Sequence, residues 1–385
     1  MTDAELAALH ASFFTIDTHI DTPTACLMRE GWDFGVRHDY AADGTQCDLL
    51  RMAGNADAMV FAIYTTQAAR TPGGFARAHE SAVKVFERTH AVLAANSKLC
   101  TLALTAEDGL RLKAENRRAI YLSIENSYPL GLDLANVAKF HGLGMRMLGL
   151  NHMLNNDVAD SSTDPRGAEW GGLSPFGREI VTECNRLGVI LDASHASDGA
   201  LWDLLQHSRT PVILSHSDCR AVCDHPRNIG DELIRALAAQ GGVLQMNALP
   251  IALLPTKEDG RTAALATFLM QLKDTELTPE SRVELAKEWR RIDEKYPNPP
   301  TTLDHFMEHL FHAVEVAGVD HVGIGCDFDG GGGMPGLRDV TDFPAITRRM
   351  VERGFSHADI AKIWGGNTLR LYRAAADFAV DRGAN

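Results

Sequence analysis

Short apolar runs rich in β-branched residues recur along the chain at Phe13–Asp21, Ala56–Thr65, Arg118–Asn126, Gly144–Met153, Gly188–Ala196, Pro211–Ser217, Gly241–Asn247 and His321–Asp327. Nearly all are continuous rather than alternating, the pattern of parallel strands covered on both faces. Helical patterns lie between them. Ala76–Ala95 repeats apolar residues at three- and four-residue steps. Ser174–Leu187 opens on Ser-Pro, an N-cap followed by proline in the first turn, and stops at Gly188. Ser197–Leu205 and Asp231–Ala239 behave alike. Eight strands alternating with helices predict an α/β fold, a closed (β/α)8 TIM barrel spanning residues 1–385 as one domain, with an open doubly wound sheet as the weaker option. One stretch breaks the rhythm. Pro250–Thr302 is rich in charge, reads as helical over Ser281–Glu294 and closes on Tyr296-Pro-Asn-Pro-Pro. It is a helical insertion after the seventh strand: a lid, a subunit contact that would build a homo-oligomer, or a plain solvated helix pair.

In a parallel barrel, chemistry gathers at the carboxyl ends of the strands. The first run ends on IDTHID, where His19 and Asp21, two apart, point to one face of an extended strand. The third ends on Glu125, the fourth on His152, the fifth on His195, the sixth on His216, the seventh on Asn247, and the eighth on Asp327 and Asp329. A lone histidine at a strand end is more often a hydrogen-bonded structural group than a ligand. Here four histidines and the carboxylates of Asp21, Glu125 and Asp327 share the same end of the barrel. Ionisable groups ending apolar strands are costly to bury unpaired, and a metal cluster supplies the compensation.

Imidazole and carboxylate donors without thiolates suit catalytic zinc, with manganese or cobalt as substitutes in vitro. His19, Asp21, Glu125, His195 and His216 exceed what one tetrahedral catalytic zinc needs, which favours two zinc ions ~3.5–4 Å apart sharing a bridging carboxylate and a bridging hydroxide. Glu125 stands alone between the pair His19/Asp21 and the pair His195/His216 and is the natural bridge. Such ions lower the pKa of bound water toward ~7. Asp17 reads as a structural hydrogen-bonding residue. His38, His141, His225 and His321 lie away from strand ends, and Gly330–Gly333 reads as a flexible loop without the lysine of a phosphate cradle.

Composition narrows the partners. With 51 acidic against 37 basic residues and a formal charge of −14, the surface repels phosphate backbones, so nucleic acid is excluded as a partner. The 7 cysteines include no CxxC pair and fit free thiols in a reducing compartment, Cys219 and Cys223 included. The start MTDAELAALHASFF has no basic n-region or long apolar core, and no apolar run suits a membrane span. The expectation is a cytoplasmic protein that does not engage membranes.

The segments DTHID, IEN, LNHMLNN, DASH, LSHSDCRAVCDHPRN and GIGCDFDG, in this order, closely resemble the membrane (renal) dipeptidase family of the amidohydrolase superfamily. The resemblance runs from about Phe14 to Tyr372. Superfamily relatives often bridge their metals with a carboxylated lysine; this family uses a glutamate. The resemblance implies that His19 and Asp21 bind the first zinc, His195 and His216 the second, and that Glu125 bridges. It implies that His152 polarises the scissile carbonyl or stabilises its oxyanion. Arg227 would hold the substrate's terminal carboxylate. Asp327 would take the proton of the bridging water and pass it to the leaving amine. A planar guanidinium does pair with a carboxylate through two parallel hydrogen bonds, but the sequence equally allows a surface salt bridge for Arg227. Asp329 competes with Asp327, although the glycines after it favour a loop-shaping role.

The implied reaction is hydrolysis of L-Xaa-L/D-Xaa dipeptides, extending to β-lactam rings in some members. Animal members are secreted and lipid-anchored; this chain, with neither signal apparent, resembles the soluble bacterial branch. Two rivals remain: a lactonase, deaminase or phosphoesterase on the same metal site, and a non-catalytic metal-binding barrel.

Overall fold

A computed structural model describes residues 1–255 and 260–381. Its strands are β1 (Ile16–Ile20), β2 (Ala58–Tyr64), β3 (Cys100–Leu102), β4 (Arg118–Glu125), β5 (Met145–Gly149), β6 (Ile190–Asp192), β7 (Ile213–Ser217), β8 (Val243–Met246) and β9 (Val322–Ile324). All the pairings are parallel, in the order β1-β2-β4-β5-β6-β7-β8-β9, with β3 attached to the outer end of β4. The eight expected strands are therefore the eight staves of a (β/α)8 TIM barrel, and β3 is an addition the sequence did not signal.

The barrel closes where the two ends of the chain meet. The Asp17 carboxylate accepts the His19 amide at 2.9 Å and the Cys326 amide at 3.0 Å, linking β1 to the end of β9. Asp327 N–H donates to His19 O at 3.1 Å, and Asp21 N–H to Phe328 O at 2.9 Å. Asp17 thus has the structural role expected of it.

Pairing is uneven round the barrel. The β2–β4 ladder runs from Ala58↔Ala119 to Tyr64↔Glu125, whereas β6 and β7 share a single register pair, Asp192↔Ile213. Side chains complete that seam. Asp192 Oδ1 accepts the Ser215 amide at 3.0 Å, and Ser194 Oγ accepts the His216 amide at 3.0 Å.

The helices begin and end where local chemistry dictates. Ser174 Oγ caps Pro175–Leu187 by accepting the Gly177 amide at 2.9 Å, and Gly188 ends it at φ 72°. Gly177 is required by close approach, since a Cβ there would meet the Val158 carbonyl. Asp231–Ala239 has the expected bounds, and Pro72–Ala95 starts earlier than the expected Ala76.

The described part of the 250–302 insertion, which leaves out residues 256–259, forms helices Pro250–Leu253, Arg261–Asp274 and Pro279–Lys295. Phe268, Leu269, Leu272, Leu285 and Ile292 bury themselves there together with Ala68 and Leu154, residues of the loops after β2 and β5. The insertion therefore rests on the face of the barrel where the strands end. All seven cysteines are free and buried. Among the described residues no helix is long and apolar enough to cross a membrane.

Gly325 makes the tightest approach inside the barrel: a Cβ would run into the Ser215 carbonyl and the Thr18 hydroxyl. Gly325→Ala is expected to reduce the unfolding free energy by about 1–3 kcal/mol through overpacking. Chemical denaturation reads this, and an unchanged midpoint would show that β1, β7 and β9 can spread without cost.

Candidate active site

His19 and Asp21 lie on the same face at the end of β1, with His19 Nε2 3.4 Å from Asp21 Oδ2. Glu125, the last residue of β4, reaches between them and the next strands. Its Oε2 is 3.7 Å from His19 Nε2, while its Oε1 is 3.0 Å from His195 Nε2 and 3.6 Å from His216 Nε2. The two imidazoles face each other, Nε2 to Nε2, at 3.0 Å. Asp327 Oδ1 closes the other side at 4.0 Å from His19 Nε2. His152 Nε2 lies 3.7 Å from Glu125 Oε1, its ring 4.9 Å from Tyr64 and 4.3 Å from His195. All the sequence-selected residues of the proposed metal set, with His152 and Asp327, therefore converge at one end of the barrel.

The backbone is bent to place them. Asn126, His195, Asp327 and Asp329 adopt positive φ of 72°, 70°, 59° and 62°. Left-handed non-glycine residues are uncommon, and asparagine, aspartate and histidine bear them best. Such conformations persist where the surroundings over-determine them, and here they mark strand ends that turn their side chains into the site.

Burial sets the electrostatics. It pushes the Asp327 carboxyl well above the ordinary range, with Asp21 and Glu125 adding to the effect and His19 and Arg227 opposing it. Burial likewise raises Glu125 to about 8. For His19 burial opposes the charged form, but Glu125, Asp21 and Asp327 outweigh it and raise the imidazole to about 10. Burial, helped by Arg227 and His19, lowers His152 to about 3 and keeps it neutral. Burial also holds His195 and His216 well below their usual value.

Crowded carboxyl groups beside the His195 and His216 imidazoles, which resist charging, are the groups a divalent cation relieves together. The donors are also aimed for one. His19 Nε2 is buried with no hydrogen-bond partner among the described residues, although three carboxylates lie within reach of it. The sets His19/Asp21/Glu125 and Glu125/His195/His216 each bring ligand atoms within 4.8 Å of one another, with Glu125 in both. An all-nitrogen-and-oxygen donor set of this kind suits zinc.

Arg227 sits in the loop after β7 and is only 6% exposed. Its Nη2 donates to His216 O at 3.1 Å, and its backbone amide donates to His225 Nδ1 at 3.2 Å. Burial lowers its pKa while Asp327 and Glu125 pull the other way, and no carboxylate ion pair involves it among the described residues. The surface-salt-bridge alternative for Arg227 is therefore gone.

Asp329 accepts Thr22 Oγ1 at 2.6 Å and the Gln46 amide at 2.8 Å, the loop-shaping role. Gly330–Gly333 forms a loop, as expected. A Cβ on Gly330 would strike the Asp21 and Asp327 carboxylates, so the loop is glycine because it lies against the site. Asn247 is buried behind the ligand set: its backbone amide donates to Asp218 Oδ1 at 3.2 Å and its Nδ2 to His216 O at 3.5 Å.

Three contributors escaped the sequence reading: Tyr64 beside His152, and Asp192 with Ser215 behind the histidines. The available signal was a polar residue inside an otherwise apolar strand, in LDASH and LSHS.

Residues 3–384 match the family model described as membrane dipeptidase, peptidase family M19. Dipeptidase tcpJ of Claviceps purpurea (strain 20.1) is 29% identical over 369 residues, 92% of this chain and 76% of that protein. Dipeptidase 3 of Homo sapiens is 28% identical over 373 residues, 95% of this chain but 66% of that longer protein. Among solved structures, the probable dipeptidase PvdM from Pseudomonas aeruginosa has 30% identity and a TM-score of 0.84, covering 98% of this chain and 100% of that one. A metallo peptidase from Rhodobacter sphaeroides, liganded with a phosphinate mimic of the dipeptide L-Ala-D-Ala, shares the fold at TM-score 0.75 and 23% identity, over 94% of this chain and 99% of that one. The family match over almost the whole length and the geometry at the strand ends agree, and the chain belongs to the membrane dipeptidase family of metallo-peptidases, peptidase family M19.

Proposed function

We propose that this protein is a binuclear zinc dipeptidase acting on L-Xaa-L/D-Xaa substrates. The observation that carries the proposal is a buried arginine, Arg227, without a carboxylate partner among the described residues, set beside a converging cluster of three imidazoles and two carboxylates. His19 and Asp21 would hold one ion, His195 and His216 the other, and Glu125 both. Two zinc ions there would supply activated water near neutral pH and polarise a carbonyl.

The protein's own groups do the rest. Arg227, with Nη2 on His216 O and no carboxylate partner among the described residues, would turn its guanidinium to a substrate carboxylate, and a desolvated site strengthens that pairing. Its neighbour on the metal side is His216, whose carbonyl it already grips at 3.1 Å, so clamp and reacting centre are held together. His152, kept neutral by burial, presents an N–H to the carbonyl oxygen as negative charge develops there. Asp327, buried beside Glu125 and His19, is suited to accept a proton from water and return it to the departing amine. The phosphinate dipeptide mimic bound by the Rhodobacter sphaeroides protein of like fold supports the dipeptide as substrate class. The cytoplasm remains the expected compartment.

The direct test is amine release from L,L- and L,D-dipeptides, with C-terminal amides, N-acetylated dipeptides and tripeptides as controls, using zinc-loaded and chelator-stripped protein. Zinc-dependent cleavage of free dipeptides is expected, with amides cleaved at least ~10²-fold less efficiently because Arg227 loses its partner. Arg227→Met should erase that discrimination by raising KM for the free dipeptides more than for the amides. Protein that holds two ions and cleaves nothing in the panel overturns the dipeptidase reading and leaves lactones, phosphoesters and amidines as candidates.

A further inference from the structure

We infer that Ser215 is a positioning residue whose single hydroxyl fixes the tautomer of both His19 and His216, tying the two metal positions to one atom; the inference rests on the metal-site reading above. Ser215 Oγ lies 2.8 Å from His216 Nδ1, 3.5 Å from His19 Nδ1 and 2.5 Å from Asp192 Oδ2. A serine hydroxyl has one proton and two lone pairs. The other oxygen of Asp192 is engaged by the Ser194 amide at 2.9 Å and the Ser215 amide at 3.0 Å. The hydroxyl proton goes to Asp192 Oδ2, the shortest of its contacts. What remains on Ser215 Oγ is acceptor capacity, and it faces two imidazoles. In the neutral form that can bind a metal, both rings then carry their proton on Nδ1, which leaves both Nε2 atoms as lone pairs on the side of Glu125. That is the tautomer a ligand needs.

Ligating histidines commonly donate their other N–H to a carboxylate, carbonyl or water. Here one serine relays one carboxylate to two rings belonging to different ions. The rings lie close to one another, with centroids 3.7 Å apart. The hub itself has little freedom. Thr18 Oγ1 donates to Ser215 O at 2.8 Å, and Ser194 Oγ, which accepts the His216 amide at 3.0 Å, lies 3.3 Å from Ser215 Oγ.

A competing reading would place an ion on this side, since His19, Asp192 and His216 also bring donor atoms within 4.8 Å of one another. The Ser215 hydroxyl bonds to His216 Nδ1 and Asp192 and touches His19 Nδ1, so it fills the point such an ion would need. The Nδ1 edge is the hydrogen-bonded edge, and the Nε2 edge is the ligand edge.

The experiment is zinc titration of the full chain against a chromophoric chelator, resolving the affinity of each ion, together with the visible absorption of the cobalt-substituted protein and the unfolding midpoint of the metal-stripped protein. Ser215→Ala is expected to weaken both zinc affinities by about 10- to 100-fold. The cobalt bands should change, while the metal-stripped midpoint stays near that of the parent. Asp192→Asn tests the proton direction. Its oxygen must stay on the two backbone amides, so its N–H2 faces Ser215 Oγ and the one hydroxyl proton turns to the nearer imidazole, His216 Nδ1 at 2.8 Å. His216 then takes the Nε2–H tautomer while His19 can still donate to the remaining lone pair, so the affinity of the His216 ion should fall by more than that of the His19 ion. If Ser215→Ala does not fold, this isosteric variant decides, and unchanged affinities for both ions overturn the hub. In Ser215→Ala, weakening of one ion only, or a lowered midpoint with unchanged affinities, overturns the shared hub while the metal site stands. A parent chain that binds no zinc overturns both, and no variant is needed to see it.

Discussion

Glu125→Gln is expected to leave a folded protein that retains about half or less of its zinc and turns over at least ~10³-fold more slowly, about 4 kcal/mol in the transition state. The two oxygens of Glu125 point to different histidines, Oε2 to His19 and Oε1 to His195 and His216. An amide keeps the shape but turns one of those oxygens into a donor, which cannot ligate. One substitution therefore damages both positions, whereas a change at Asp21 or His195 damages one directly. The fold should not suffer, because a neutral amide is cheaper to bury than a carboxylate in a crowd of like charge. Metal content by atomic spectroscopy, with the unfolding midpoint of the stripped protein, separates these effects. Parental zinc content and turnover in the variant would remove Glu125 from the bridge.

Asp327→Asn should show the opposite split: zinc content close to parental and kcat lower by about 10²- to 10⁴-fold, the range for loss of a proton-transferring group. Asparagine accepts the φ of 59° at this position, so the Asp327 N–H bond to His19 O and the loop bonds from Gly330 and Gly332 to Asp327 O survive. The side chain is 4.0 Å from His19 Nε2, at the edge of the proposed ligand set, which is why the metals should stay. KM for a free dipeptide should move little, because the proposed clamp for its carboxylate is Arg227. Unchanged kcat would take Asp327 out of the chemistry and return attention to water access. A loss of zinc along with kcat would make it a ligand instead.

The barrel was legible because parallel strands covered on both faces are written as unbroken apolar runs, and β2 shows this over its whole length and β4 from Ala119 to Leu122. β3 was not, because Cys100–Leu102 is too short for any periodicity and has only Cys100 fully buried. The start of Pro72–Ala95 was hidden by Gly73 and Gly74, poor helix formers by propensity. Gly74 is there because a Cβ would meet the Ala69 carbonyl and the Tyr128 hydroxyl, a constraint from elsewhere in the fold. The site divides in the same way. His19, Asp21, Glu125, His195 and His216 could be read because topology alone brings strand ends together. Tyr64, Asp192 and Ser215 could not, because their meaning depends on which neighbour the register sets opposite them. Arg227 fell between: its residue type suggested the role, but only its burial removed the salt-bridge alternative.

The Asp17 link between β1 and the end of β9 has a consequence for how the protein is made. Until residues 322–328 leave the ribosome, β1 is an unpaired edge on one side. His19 and Asp21 ride on it, and the Asp17 oxygen meant for the Cys326 amide has nothing to accept. An exposed, unpaired strand edge invites pairing with other chains. The nascent chain is therefore most prone to aggregate during synthesis of the segment from β8 to β9, which includes the charged 250–302 insertion. Docking of β9 removes the open edge and completes the ring of candidate site side chains in one event, so folding yield and assembly of the centre should rise and fall together.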